Sequence, residues 1–300
     1  MISLKEYKKL FSETLKDIFP STEIDTFFLY LMQEYLGFTR VDLVLQSDFI
    51  IEQNTKNLFD RALERLKNQE PIQYILGKTD FFGLPFLVDK NTLIPRPETE
   101  ELVAWIIDEV EILNNKSSPK ISLLDIGTGS GCIPISLAKN IDFAAIYAID
   151  ISTKTLEVAL KNGDSNQVSI SFFEMDILKT SNLDLLSKDK TQINFDIIVS
   201  NPPYVRESEK SAMDKNVLEN EPHQALFVSD ENPLVFYEKI ADLALLHLSR
   251  NGLLFFEINQ YLGNQTVNML LKKGFKNIEL RKDIFGNNRM IKANIRYVFF

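Results

Sequence analysis

An apolar run at 121–126 passes directly into Gly127-Thr128-Gly129-Ser130-Gly131 and then into Cys132-Ile133-Pro134-Ile135-Ser136-Leu137-Ala138. Strand, glycine loop and helix in that order confine the chain to an α/β design in which a ligand meets the end of a strand and the start of a helix. Glycines at alternate positions let the backbone turn sharply and approach a ligand with no Cβ in the way, while the helix start presents free N–H groups. Pro134 fits only if it lies in the first helical turn. The spacing is G-x-G-x-G rather than the G-x-G-x-x-G of dinucleotide binders, and a glycine loop alone is a weak signal. Its surroundings strengthen it. A second apolar strand at 144–149 ends in Asp150, placed to accept from ribose hydroxyls, and a third at 168–173 leads to Asp176, placed to accept from an adenine amine. Taken singly, each acid reads equally well as a solvated strand end; their serial placement favours a ligand.

A further apolar strand, 195–200, stops at Asn201-Pro202-Pro203-Tyr204. Asn before Pro and Pro before Pro are pushed towards extended geometry, and neither proline donates an N–H. The loop is therefore stiff and rich in acceptors. A planar NH2 group has two donors, which the Asn201 side-chain carbonyl and the Pro202 main-chain carbonyl suit, with the Tyr204 ring to cover its flat face. Without the upstream motif, a proline-rich turn ending a core strand would read equally well.

Together these residues resemble the class I S-adenosylmethionine-dependent methyltransferases, and more closely the release-factor N(5)-glutamine methyltransferases, the HemK or PrmC family. Pro71-Ile72-Gln73-Tyr74-Ile75-Leu76-Gly77, Phe81-Phe82-Gly83-Leu84-Pro85-Phe86 and Leu93-Ile94-Pro95-Arg96-Pro97-Glu98-Thr99-Glu100 are similar to that family's inter-domain signature. So are Glu221-Pro222 with Ala225-Leu226, and Asp283 with Gly286 and Arg289; Asn259 stands where the family pattern has glycine. The resemblance implies a Rossmann-like class I methyltransferase sheet; the residue pattern itself adds an N-terminal helical bundle, a β-hairpin linker and, at the end of the alternating strands and helices, 278–280 and 295–300 as an antiparallel pair at the sheet's edge. The resemblance also implies a substrate-docking domain at 1–70, a linker at 71–98 and a methyltransferase domain at 99–300. By the same resemblance Gly127, Thr128, Gly129, Ser130 and Gly131 line the methionine part of S-adenosylmethionine, Asp150 holds the ribose, and Asp176 with Ile177 borders the adenine. Asn201, Pro202, Pro203 and Tyr204 hold the glutamine amide, Asn201 also touching the cofactor.

The first 70 residues read as helices. Ser3 and Glu6 form a capping-box pattern, and Leu4, Tyr7, Leu10, Phe11, Leu15 and Ile18 make one apolar face before Pro20. Helices are expected at 23–36 with Gly37 as cap, from near Thr39, and around Leu58, Phe59, Ala62, Leu63 and Leu66. Residues 81–88 read as a hairpin, and Pro95-Arg96-Pro97 as the lead into a helix capped near Thr99. Three hundred residues at 45% hydrophobic content suffice for two cores. Cys132 is the one cysteine, so no intramolecular disulfide forms, a reducing cytoplasm is the expected compartment, and the thiol reads as a packed residue. His223 and His247, with no clustered partners, give no metal site, and His247 reads as packing. No apolar stretch approaches membrane-spanning length, and Lys5, Lys8 and Lys9 interrupt any signal pattern.

Charge weighs on the substrate. Asn-Pro-Pro-Tyr also suits enzymes that methylate the exocyclic amine of a flipped adenine in DNA. Duplex binding neutralises phosphates, yet the chain has 33 Lys plus Arg against 42 Asp plus Glu, and residues 1–70 have 9 basic against 12 acidic. That balance favours a protein substrate and no direct nucleic-acid binding, and the resemblance makes it the glutamine of the release factors' Gly-Gly-Gln loop. A ribosomal-protein glutamine remains an alternative, as does a non-catalytic S-adenosylmethionine sensor, against which the intact acceptor loop stands. The expected chemistry is direct in-line transfer, with no covalent enzyme intermediate and Tyr204 as a wall, since an unperturbed phenol titrates near ~10.

Overall fold

A computed structural model describes residues 2–114, 121–142, 144–187 and 192–295. The chain divides into two compact units, Met1–Lys78 with Asp214–Asn220, and Thr79–Met213 with Glu221–Phe300. Of the segment 71–98 that the sequence suggests as linker, the helical unit takes in 71–78 and the second unit the remainder.

In the first unit, β1 (Ile2–Ser3) and β2 (Ile50–Ile51) pair antiparallel beside α1 (Leu4–Leu15), α2 (Ser21–Leu36), α3 (Arg40–Leu45), α4 (Gln53–Lys67) and α5 (Ile72–Leu76). Ser3 Oγ accepts from Glu6 N while Glu6 accepts from Ser3 N at 2.9 Å, completing the capping box. Thr39 and Asp42 repeat the device at α3, and Gly37 closes α2 in the left-handed region. Tyr7, Phe11 and Leu15 of α1 bury against Phe28, Leu31 and Met32 of α2 and Phe59, Leu63 and Leu66 of α4. Leu10, Ile18 and Leu58, expected on the same stripes, are exposed. The core is aromatic, with Tyr7 meeting Phe59 edge-on, and the Tyr7 hydroxyl escapes it by donating to Asp60 at 2.8 Å.

In the second unit a hairpin, β3 (Lys78–Phe81) and β4 (Leu84–Leu87), precedes α6 (Pro97–Asn114). There follow β5 (Ser122–Ile126), α7 (Cys132–Asn140), β6 (Ala145–Asp150), α8 (Thr153–Ser165), β7 (Ser171–Glu174), β8 (Phe195–Ser200) and β9 (Val205–Arg206). After α9 (Lys215–Asn220), which belongs to the first unit, come α10 (His223–Leu226), β10 (Phe227–Val228), α11 (Val235–His247), β11 (Leu248–Glu257), α12 (Gly263–Lys273), β12 (Lys276–Lys282) and β13 (Asn288–Asn294). Seven strands form one sheet in the order β12-β13-β11-β8-β5-β6-β7. All run parallel to one another except β13, which is antiparallel to both its neighbours.

The antiparallel strand therefore lies one place in from the edge, with β12 outside it. Its position also differs from the sequence expectation, since 288–294 rather than 295–300 pairs with β12; residues 296–300 lie outside the described residues. The sheet is covered on both faces, which is why its central strands are continuous apolar runs. Leu123, Ile197, Val199, Leu253 and Phe255 pack with the hairpin, α6 and α7, while Leu124, Ile126, Ile198, Leu254 and Phe256 pack with α11 and α12. Helix α6 begins at Pro97, where a ring needs no N–H partner, and Thr99 lies inside its first turn instead of capping it.

Candidate functional site

The chain leaves β5 towards β6 and β7 on one side and returns to β8 and β11 on the other, so the β5/β8 boundary is the switch point at which loops part and leave a crevice. Ile126 and Ser200 are paired across it, and the Ser200 hydroxyl donates to Ile126 O at 2.7 Å. The glycine loop and the Asn-Pro-Pro turn are therefore neighbours by register. On the other side Asp150 pairs with Glu174, which brings the loops after β6 and β7 to the same edge. A cleft of about 420 Å³ opens there.

Gly127, Thr128, Gly129, Ser130, Asp150, Asp176, Ile177, Asn201, Pro202 and Pro203 all line this cleft. Gly131 and Tyr204, singled out with them in the sequence, are not among its lining residues. Gly131 serves packing: at φ +81° it starts α7, and a Cβ there would sit 2.9 Å from Ile135 Cδ1 and 3.3 Å from Ala159 Cβ. Tyr204 turns its hydroxyl to Glu257, donating at 3.0 Å. Burial and the Glu257 charge push its phenol further up, away from any role as a base near neutrality.

The glycine loop is held from behind. Gly127 N and Thr128 N donate to Ile149 O, and buried Asn162 donates to Ser130 O and Leu87 O, both at 2.9 Å. Asp150 accepts from Gly129 N and Ser152 N, each at 3.0 Å, one per oxygen. Each oxygen keeps a lone pair for a hydroxyl. Burial raises the Asp150 carboxyl, opposed by those backbone donors. Asp176 is held low, chiefly by Lys179 at 2.8 Å, and so presents a charged acceptor beside buried Ile177.

The lining has polar groups that the protein does not satisfy. The Thr128 and Ser130 hydroxyls are buried without hydrogen-bond partners, and behind the loop neither oxygen of Asp125 has one. A donor set of free hydroxyls, a buried carboxylate and backbone groups, with acids at two further strand ends, fits a ligand with a cationic amino-acid end and a nucleoside end. It fits S-adenosylmethionine in that sense, with Thr128 and Ser130 at the former and Asp150 and Asp176 at the latter. Among the described residues no group of three or more His, Cys, Asp or Glu is placed to hold a metal. His247 is a core residue, Nε2 accepting from Leu183 N at 3.0 Å and Nδ1 lying 2.9 Å from Ile193 O. Cys132 is buried, which pushes its thiol up to about 12.

Five residues to which the sequence analysis gives no site role complete the surroundings of the cleft. Thr99 and Arg96 line the cleft from α6 and the segment before it. Arg96 pairs with buried Glu221 at 2.5 Å, and Glu221 also accepts from Ile94 N at 3.2 Å, locking 94–96 to the Glu-Pro turn. Thr99 donates to Glu257 at 2.6 Å and accepts from Asn201 Nδ2 at 3.5 Å. A glutamate fully buried at the end of the run Leu-Leu-Phe-Phe-Glu was the legible signal; its partners come from far along the chain. Asn259, in the glycine position of the resembled pattern, has no positive φ and donates to Tyr204 O and Glu209, at 3.0 and 2.9 Å, pinning the acceptor loop's far end.

Comparison with known proteins agrees with this geometry. The family model described as "Methyltransferase small domain" matches residues 110–226, and that described as "PrmC N-terminal domain" matches 7–77. A release factor glutamine methyltransferase of Flavobacterium psychrophilum is 53% identical over 98% of this chain and 99% of its own length. Those of Bacteroides thetaiotaomicron and Lactococcus lactis are 40% and 43% identical, over 94% and 84% of this chain and 96% and 87% of their own lengths. Among solved structures, the hMettl16 catalytic domain in complex with an RNA hairpin superposes with a TM-score of 0.57 at 15% identity, covering 93% of each chain, a likeness of fold alone.

Proposed function

The chain belongs to the release factor glutamine methyltransferase family, and from that premise we propose that it transfers a methyl group from S-adenosylmethionine to the side-chain amide nitrogen of the glutamine in a release factor's Gly-Gly-Gln motif. The observation that carries the reading is the orientation of Asn201. Its Nδ2 is spent on Thr99, so Oδ1 is left as an acceptor in the same cleft as the glycine loop. Pro202 adds a main-chain carbonyl from a ring that has no N–H to compete.

S-adenosylmethionine, when bound, supplies a methyl group activated by its positively charged sulfur. The protein's part is to align a poor nucleophile, since the lone pair of an amide nitrogen is delocalised. Asn201 Oδ1 and the Pro202 carbonyl receive the two amide N–H groups, and their dipoles act more strongly as positive charge develops on that nitrogen, the counterpart of an oxyanion hole. Fixed geometry contributes the rest. With Tyr204 raised, no side chain of this loop takes the amide proton, which passes to water.

We assign substrate docking to the helical unit, which has its own core, and place the reaction in the cytoplasm, where release factors act. No helix among the described residues is long and apolar enough to cross a membrane. A net charge of -9 argues against a phosphate-backbone partner. The test is to offer methyl-labelled cofactor with a release factor, a ribosomal protein or DNA. Label is expected on the Gly-Gly-Gln glutamine; label on the ribosomal protein or DNA alone would refute this assignment.

A further inference from the structure

Glu257 ends β11 at 1% exposure, and no step described above uses it. Its two oxygens are committed to different partners: Oε2 accepts the Thr99 hydroxyl at 2.6 Å and Oε1 the Tyr204 hydroxyl at 3.0 Å. Its own main-chain carbonyl takes the Tyr237 hydroxyl at 3.1 Å. Thr99, 2% exposed, in turn accepts from Asn201 Nδ2 at 3.5 Å, the longest link of the series. We propose that Glu257 and Thr99 are positioning residues that set which end of the Asn201 amide faces the acceptor, an inference that rests on the reading of Asn201 as the acceptor's partner.

The relay has a direction because its first member cannot donate. An ionised carboxylate only accepts, so the single proton of the Thr99 hydroxyl is drawn to Glu257 and only lone pairs remain towards Asn201. Asn201 must meet a lone pair with its NH2, which turns Oδ1 to the cleft. Were the first member able to donate, the Thr99 proton would be released to Asn201 Oδ1 and the amide would turn over. Two NH2 groups would then face each other at the acceptor position. Such a reversal changes no volume and leaves the glycine loop, Asp150 and Asp176 untouched, so its signature is a loss of rate far larger than any loss of affinity for cofactor.

The surroundings of Glu257 make this direction dependent on pH. Burial raises its carboxyl, as does Glu98 of α6, while Thr99, Arg289 of β13 and Tyr204 act against the rise. Tyr237 of α11 and Cys132 of α7 face it as neutral groups, both raised. Protonation of Glu257 sets in at higher pH than for an ordinary glutamate, so at saturating cofactor the rate of transfer is expected to fall on acidification.

Full-length Thr99→Val, Thr99→Ser, Glu257→Gln and Asn201→Ala proteins test the relay by single-turnover methylation of a release factor and by cofactor titration, from pH 5.5 to 8. Thr99→Val is near-isosteric and keeps the test valid if Glu257→Gln misfolds. Thr99→Val and Glu257→Gln are expected to slow transfer about tenfold or more at saturating cofactor, a far larger effect than any on cofactor affinity, and to lose the wild type's acid limb. Thr99→Ser is expected to restore most of the rate. A wild-type rate in Thr99→Val with an impaired Asn201→Ala overturns the relay alone. Wild-type rates in both overturn the acceptor reading beneath it as well. A Thr99→Ser protein as slow as Thr99→Val reduces Thr99 to packing and also refutes the proposal.

Discussion

Asp125 carries a large electrostatic cost near the cleft, for it is fully buried, and that burial, joined by the Asp150 charge and only partly opposed by the Thr128 hydroxyl, pushes its carboxyl up to about 7. The folded protein therefore holds this proton from the ordinary carboxylate range up to about 7. The stability that results is complete below the unfolded value and is lost as pH rises through the folded one. The full span is worth at most roughly 4 kcal/mol. In cofactor-free protein, Asp125→Asn is expected to flatten the fall of Tm between pH 5.5 and 8; an unchanged slope in thermal melts would show that Asp125 is not its source. Asp150, where two backbone N–H groups leave a lone pair on each oxygen, gives a different outcome. Asp150→Ala should weaken cofactor binding by roughly 1.5–3 kcal/mol, about ten- to a hundredfold by calorimetry, with the fold kept. Residues of this kind are legible in sequence because strand-end acids and a proline turn act locally. The link between Glu257 and Thr99 is not, since the two are 158 positions apart and meet through the packing of α6 on the sheet.

Elements were legible where one periodicity had one cause. Buried runs at β5 and β8, the capping boxes of α1 and α3, and Gly37 all announce themselves through local chemistry. Of the last two strands, 278–280 falls inside β12, but its partner was misplaced, because Asn288, Arg289, Lys292 and Asn294 break up β13 and leave it without the long apolar run that marks the central strands. Thr99 misled for a related reason: a hydroxyl near a helix start reads as a cap, but Pro97 already begins the helix and the hydroxyl serves Glu257. The glycine loop shows how one motif divides its labour between elements. Gly127 and Gly129 have open space where a Cβ would go, whereas at Gly131 both the α7 side chain Ile135 and the α8 residue Ala159 are in the way. Alanine at any of the three meets the left-handed penalty of roughly 1–2 kcal/mol. Only Gly131→Ala adds overpacking, roughly 1–3 kcal/mol more. Denaturant midpoints should therefore place Gly131→Ala clearly below the other two; equal midpoints would mean that α7 and α8 yield without cost.

At the scale of the whole molecule, the residues lining the cleft all belong to the second unit, while the first builds a separate aromatic core and matches a family model of its own. A chain that needed only to transfer a methyl group to a free amide would have no use for those helices. Their proposed use is to spend docking energy on holding a mobile glutamine loop at Asn201, which raises the rate on the whole protein and leaves a short glutamine peptide a poor substrate. Removing residues 1–78 leaves the two cores of the second unit intact. Residues 214–220, the other part of the first unit, contain α9, which has no buried residue and so exposes little by its loss of partners. The truncated protein is expected to bind S-adenosylmethionine within a few-fold of the full chain, to methylate a short peptide as slowly as the full chain does, and to lose at least about tenfold in kcat/KM on a whole release factor, which corresponds to ~1.4 kcal/mol. An unchanged rate on the whole release factor would end the docking role, and lost cofactor binding would assign the helices to supporting the catalytic unit instead.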